Sequence, residues 1–131
     1  MSTFPNDRRY TSDHEWAKLE GDNAVIGVSA FAVEQLGDIT LVSVDASVGD
    51  RLEAGKAFGT IESVKTLSDL FAPISGTLEA VNGDLEESPE LINDDCYGKG
   101  WMIKIKPSKA AEMDKLMDVT AYDAHVKDSA H

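Results

Sequence analysis

Few residues of this chain pair a reactive side chain with a setting that could display it. Lys65 is the first, in the stretch Gly59-Thr60-Ile61-Glu62-Ser63-Val64-Lys65-Thr66-Leu67-Ser68-Asp69. Three roles are open to it: an ordinary surface lysine among nine, a lysine displayed for covalent modification, or a Schiff-base nucleophile. The last needs burial to bring its pKa down from about 10.4, and the nearby Glu62 and Asp69 would raise it instead. Spacing by itself does not choose between the other two. Elsewhere the chemistry is thin. His14, His125 and His131 show no clustering, and Cys96 has no partner at metal-ligand spacing, so no metal site is expected. There is no Gly-x-Ser-x-Gly elbow, no glycine-rich phosphate loop and no triad pattern. Carboxylates are plentiful, but no spacing selects a pair. The residues alone make no case for catalysis.

The elements around Lys65 must hold it outward. Ala57–Ser63 and residues 66–72 mix β-branched and aromatic residues with small polar ones, bounded by Gly55 and by Pro73-Ile74-Ser75-Gly76. They read as the arms of a β-hairpin with Lys65 near its tip, although no Asn-Gly pair marks the turn. Upstream, residues 14–20 and 24–28 read as strands around Gly21-Asp22-Asn23. Ser29 is placed to cap a helix over Ala30–Leu36, with Gly37 as its left-handed stop. Residues 38–44 form a further strand. Asp45 to Asp50 form a loop, and 77–81 another strand. Pro89 and Asn93-Asp94-Asp95 suggest an irregular connection. In 101–106, Trp101, Ile103 and Ile105 alternate with Met102, Lys104 and Lys106 as in a half-buried strand. A helix beginning at Pro107-Ser108 would carry Met113, Leu116 and Met117 as its core stripe. Thr120 is placed to cap a last short helix. Residues 1–9 and those from about 127 on are expected to be loose. Val48-Gly49-Asp50-Arg51-Leu52-Glu53 and Asn82-Gly83-Asp84-Leu85-Glu86-Glu87 form a faint echo, as a quasi-twofold sandwich would produce.

The whole chain narrows the classes. Its 131 residues suit one domain, and 42% apolar residues suffice for a modest core. No run of about 18 apolar residues exists, so no membrane span or membrane partner is expected. Residues 1–9 lack the apolar centre of a signal peptide, and a cytoplasmic, bacterial-type protein is expected. A net charge of −12 argues against nucleic acid and suits steering to basic patches on partners. The single Cys96 fits a reducing compartment, and Asp94 and Asp95 beside it would disfavour the thiolate.

An ordered series of fragments then carries a resemblance. Glu62-Ser63-Val64-Lys65-Thr66, Ser68-Asp69 and Ala72-Pro73-Ile74-Ser75-Gly76 resemble the lipoylation site of the glycine cleavage system H proteins. The likeness includes Tyr10-Thr11, His14-Glu15-Trp16, Ile26-Gly27-Val28 and Leu36-Gly37-Asp38-Ile39. It continues through Val81-Asn82, Pro89 to Asp95 and Tyr97 to Lys106, so that it spans roughly residues 10–122. Biotin carriers place their lysine between methionines, whereas Val64 and Thr66 flank this one. Lipoyl domains of 2-oxoacid dehydrogenases usually have Asp where Val64 stands. The family commonly has proline at the position of Cys96 and a proline in a loop one residue shorter at 45–50; this chain has neither, and the comparison implies a more mobile loop at 45–50.

The resemblance implies a mostly β fold, a lipoyl/biotinyl-type β-sandwich (barrel-sandwich hybrid) with the lysine at a hairpin tip and short helices near 30–36 and at the C-terminus. It implies lipoate bound covalently to Lys65 within a recognition segment of Glu62, Ser63, Val64 and Thr66. The expected partners are the PLP-dependent glycine decarboxylase (P protein), the tetrahydrofolate-dependent aminomethyltransferase (T protein), dihydrolipoamide dehydrogenase (L protein), and a lipoyl ligase or octanoyl/lipoyl transferase. Glu15 and Asp69 match carboxylates near the amine of the loaded arm in a surface cleft, and Asp13 stands where some members have serine. A carboxylate beside an ammonium makes charge-assisted hydrogen bonds. Other roles remain for Glu15, as a surface residue on an edge strand, and for Glu62 and Asp69, in solvating the tip. The function implied is that of a lipoylated carrier, not an enzyme, which shuttles the aminomethyl group of glycine from the decarboxylase to the aminomethyltransferase and is then reoxidised by dihydrolipoamide dehydrogenase; two others stand beside it, a lipoyl relay to 2-oxoacid dehydrogenase domains and an interaction domain with an unmodified lysine.

Overall fold

The computed structural model describes residues 4–109 and 111–129. Its elements in chain order begin with β1 (Arg9–Tyr10), β2 (Glu15–Glu20), β3 (Asn23–Val28), α1 (Ala30–Leu36) and β4 (Ile39–Val44). Next come β5 (Arg51–Leu52), β6 (Ala57–Ser63), β7 (Leu67–Phe71) and β8 (Gly76–Val81). The short helices α2 (Asp84–Glu87) and α3 (Leu91–Asp95) precede β9 (Ile103–Pro107), and α4 (Ala111–Asp114) and α5 (Val119–Ser129) follow it. One sheet has the order β1-β2-β3-β9-β8-β5 and the other β4-β6-β7. Every pairing is antiparallel. This is the mostly β architecture with few helices that the sequence leads one to expect.

Strand alternation explains the two layers. Ala24, Ile26 and Val28 on β3 and Ile103 and Ile105 on β9 point between the sheets. There they meet Phe58 and Ile61 of β6, Leu70 of β7 and Val42 of β4. Residues on the opposite face of the larger sheet build a second cluster from Tyr10, Trp16 and Val25, closed by Tyr122 of α5. Tyr10 and Tyr122 stack with ring centroids 4.4 Å apart and planes 6° from parallel. Such a pair adds about 1 kcal/mol to the burial of its rings. β3 is therefore covered on both faces, and α5 is held by an aromatic contact far away in the chain.

Most strand and turn expectations meet the structure within a residue or two, and α1 has its expected limits. The Ser29 side chain accepts from Ala32 N at 3.4 Å. Gly37 closes the helix with φ 78° but ψ −149°, outside the left-handed helical region and in one that is essentially reserved for glycine.

The differences lie where long-range contacts decide. The arm expected to be loose over residues 1–9 is packed from Phe4: its ring meets Tyr122 at 5.0 Å, and Arg8 lies 4.6 Å over Trp16. Residues 1–3 lie outside the described region. At the other end α5 continues to Ser129. Its N-terminal cap is Asp118, whose Oδ1 accepts from Ala121 N at 2.9 Å, and not Thr120. The helix expected from Pro107-Ser108 through Met117 is reduced to α4. Beyond it Met117 forms a bridge with Tyr10, which requires extended backbone, so Met113 and Leu116 reach the inter-sheet core while Met117 joins the aromatic cluster. Met102, expected on the polar side of its strand, is buried, because the alternation starts only at Ile103.

Other local signals were overridden too. The irregular connection around Pro89 contains α2 and α3. The echoed segments are not equivalent, since Arg51-Leu52 is strand and Asp84–Glu87 is helix. The loop over 45–50 is anchored at both flanks of Leu78: Gly49 N donates to Leu78 O and Leu78 N to Asp50 O, each at 2.8 Å.

Candidate functional site

The tip between β6 and β7 is built by Ser63. Its backbone N–H donates to Thr66 O at 2.8 Å, and its Oγ accepts from the N–H groups of Lys65 and Thr66, both at 3.2 Å. Ser63 thus supplies the turn that Asn-Gly would otherwise make, through the local side-chain bonding open to serine. A second support comes from Val64 N, which donates to Asp38 O at 3.0 Å. Lys65 is exposed on this frame, and among the described residues it makes no ion pair. Val64 and Leu67 beside it are 66% and 62% exposed. The lysine stem rests over Gly37, where an added Cβ would lie 3.3 Å from Lys65 Cε. Glu62 and Thr66 are exposed as well. All five residues of the expected recognition segment therefore surround one turn.

The expected carboxylates meet in a second place. A cleft of about 150 Å³ runs between α1 and β7, lined by Asp13, Glu15 and Asp69 with His14, Gln35, Leu36 and Leu70 among its walls. Since α1 ends at Gly37 under Lys65, its last turn joins the tip to the cleft. Asp13 and Asp69 are exposed. Glu15 is not: it is 2% exposed, which replaces the expectation of a surface residue on an edge strand. It opens β2, an inner strand paired with both β1 and β3. Its Oε2 accepts from Phe71 N at 2.7 Å, while its Oε1 has no partner among the described residues. Burial, opposed by the Phe71 N–H and reinforced by Asp13, pushes its carboxyl up to about 8.

The histidines behave differently from their sequence spacing. His14, at φ 68°, and His125 approach to 5.4 Å between ring centroids; His131 lies outside the described residues. Nδ1 of His14 is 2.9 Å from the Tyr122 hydroxyl, which is 2.6 Å from Ser29 Oγ. This chain of contacts links α5 to the cap of α1 behind the cleft. Nothing local to His14 announced it, because Tyr122 is distant in sequence; the positive φ of a non-glycine residue is visible only in the fold. Burial, then the neighbouring His125, holds His14 below its usual pKa against the pull of Asp13. Cys96 is buried, and burial more than Asp95 raises its thiol to about 11. Among the described residues no group of three or more His, Cys, Asp or Glu comes together as a metal site, and no helix is long and apolar enough to cross a membrane.

A two-sheet sandwich that displays one lysine on a braced turn beside an acidic cleft is the architecture of a prosthetic-group carrier. The family model described as glycine cleavage H-protein matches residues 8–129, and the chain belongs to that family. It is 53% identical over 123 residues to the glycine cleavage system H protein of Bacteroides fragilis, covering 94% of this chain and 97% of that protein. The corresponding protein of Bacteroides thetaiotaomicron is 52% identical over 123 residues, with the same shares covered. In structure it resembles the glycine cleavage system H protein of Mycobacterium marinum, with a TM-score of 0.83, 34% identity, and 97% of this chain and 99% of that one covered. The protein is accordingly a lipoyl carrier of the glycine cleavage system, a component without catalysis of its own that works with the enzymes of that system.

Proposed function

We propose that Lys65 is the attachment point of lipoate and that the protein carries the aminomethyl group of glycine between the enzymes of the cleavage system. The observation that supports this most is the exposed Lys65 on a turn tied down by Ser63. The residues fit the group. Nζ lies in water where a lipoyl ligase or an octanoyl/lipoyl transferase can reach it, and Val64 and Leu67 give that enzyme apolar contact beside it. The modifying enzyme removes a proton from Nζ, and the nitrogen attacks an activated lipoyl or octanoyl carboxyl; the bond to the activating group breaks, that group departs, and Nζ becomes a neutral amide. Strands β6 and β7 keep the base of the arm fixed.

When bound to Lys65, lipoate would supply a dithiolane able to take up the aminomethyl group at the glycine decarboxylase, give its methylene to tetrahydrofolate with release of ammonia at the aminomethyltransferase, and be reoxidised by dihydrolipoamide dehydrogenase. The chain's own part in this is to present the arm and to shelter its cargo. Glu15 and Asp69, with Asp13 at the rim, line a cleft reached over Gly37, and they would hold a cationic cargo by charge-assisted hydrogen bonds.

Peptide mapping after exposure to a lipoyl ligase is expected to place one lipoyl group, on Lys65. Lys65→Arg should remain folded, since the tip contributes little to the core, and should take no label, because arginine offers no acylable amine. A label on another lysine would overturn the assignment. Glycine–bicarbonate exchange with a cognate decarboxylase should require the lipoylated form; equal exchange with the unmodified protein would refute the shuttle.

A further inference from the structure

Glu15 combines nearly complete burial with very little hydrogen bonding. Among the described residues one donor, Phe71 N, reaches Oε2 at 2.7 Å, and Oε1 has none. A carboxylate buried in this way would leave most of its lone pairs unmet and its charge unpaired, which is strongly disfavoured. No neighbour compensates. Asp13 and His14 precede it on the same strand entry, Asp69 stands on β7, and α1 contributes the uncharged Gln35. From α5, His125 lies behind His14. Asp13 repels a negative charge, and His14 is held toward its neutral form. Among the described residues no lysine or arginine lines the cleft. The rise of the Glu15 carboxyl to about 8 agrees with what the contacts alone require.

We infer that Glu15 is a carboxylic acid while the cleft holds no cargo and becomes a carboxylate only when a primary ammonium enters, so that docking of a cationic cargo expels one proton. The inference rests on the docking of the loaded arm proposed above and adds its proton balance. The O–H bond of Glu15 breaks, its proton leaves to solvent, and an ammonium N–H donates to the carboxylate oxygen; no electrons are transferred. The two charges appear in the cleft together, so neither is left buried alone. A neutral group of equal size has no charge to offer and leaves the proton in place. The cleft thereby distinguishes a loaded arm from an empty one by charge, with Asp69 and Asp13 at the rim adding attraction for the same cation.

The test is a pH titration of the Glu15 carboxyl by 13C NMR from pH 4 to 9.5, with the resonance assigned by its loss in Glu15→Gln. It is run on the unmodified protein, on the oxidised lipoylated protein and on that protein loaded with the aminomethyl group. The expected midpoint is near pH 8 in the first two and at least two pH units lower in the third. Backbone amide shifts of Gln35, Leu36 and Leu70 report docking independently. Between pH 6 and 7 the ratio of docked to free loaded arm should rise roughly five- to tenfold in the wild type and stay level in Glu15→Gln. A midpoint between 4 and 5 in the unmodified protein overturns the inference. So does an unchanged midpoint in a loaded protein whose cleft amides show docking. If those amides do not move on loading, the docking reading itself fails and the proton coupling falls with it.

Discussion

At the scale of single residues, Glu15 makes the stability of the protein depend on pH with an uncommon sign. Its carboxyl titrates near 8 in the fold and at its ordinary 4.5 when exposed. Between these values the folded chain holds a proton that the unfolded chain has released. Folding therefore takes up a proton in this window, and stability is lost as pH rises through it, by up to roughly 1.4 kcal/mol per pH unit. Glu15→Gln is neutral at every pH and should escape this loss. Urea unfolding at pH 5 and pH 8 is expected to move the stability difference in favour of the variant by roughly 2–4 kcal/mol; a constant difference would mean that Glu15 is ionised throughout. The same residue and Asp69 also matter to the cargo. A charge-assisted hydrogen bond to a partly solvated cation is worth about 0.5–1.5 kcal/mol. Glu15→Gln and Asp69→Asn should each shorten the lifetime of the loaded protein by roughly two- to tenfold, measured as formaldehyde and ammonia released into water. Asp13→Ser should be nearly neutral if only those two residues face the amine, and should shorten the lifetime if Asp13 has joined them.

At the scale of elements, the hairpin that bears Lys65 depends on how closely β4 lies against β6. Gly59 pairs with Val44, and a Cβ there would run into the backbone carbonyl of Ser43. A backbone obstacle cannot rotate away as a side chain can. Gly59→Ala should cost about 3 kcal/mol or more, read as a lower urea midpoint. The damage should fall on the three-stranded sheet, so amide exchange in β4, β6 and β7 should accelerate more than in β3 and β9. Equal acceleration in both sheets would show that the small sheet does not yield independently. The tip beyond β6 has its own support from Ser63 and Asp38, which is why Lys65 can be exposed without its turn being long.

At the scale of the whole molecule, charge governs encounter. A net charge of −12 on 131 residues gives a long-range field that basic surfaces on partner enzymes would feel. Binding to the decarboxylase should weaken as salt rises from about 0.05 to 0.5 M, mainly through slower association. Affinity indifferent to salt would remove the steering argument and leave the carrier role intact. The aromatic cluster acts at this scale too. Phe4, Tyr10 and Tyr122 fasten both ends of the described chain to the back of the larger sheet, and through His14 and Ser29 this anchorage reaches the cap of α1, one wall of the cleft.

What was legible in the sequence is what neighbours along the chain decide. The β2–β3 hairpin, α1 with Ser29 and Gly37 at its ends, and the β6–β7 arms around Lys65 each follow from periodicity and turn residues within about a dozen positions. The family resemblance added the role of Lys65, which spacing left open between a modified and an ordinary surface lysine. Tertiary structure decided the charge of Glu15, because the donor to its carboxyl, Phe71 N–H, lies 56 residues away and the walls that exclude water from it come from α1 and β7. It decided that His14 and His125 meet, through Tyr122, 108 residues from His14. It also shortened the helix expected over 107–117, since Met117 gains more from pairing with Tyr10 than another turn of helix offers. Burial and pairing between distant residues set these outcomes, and a local pattern carries no record of which distant groups will enclose it.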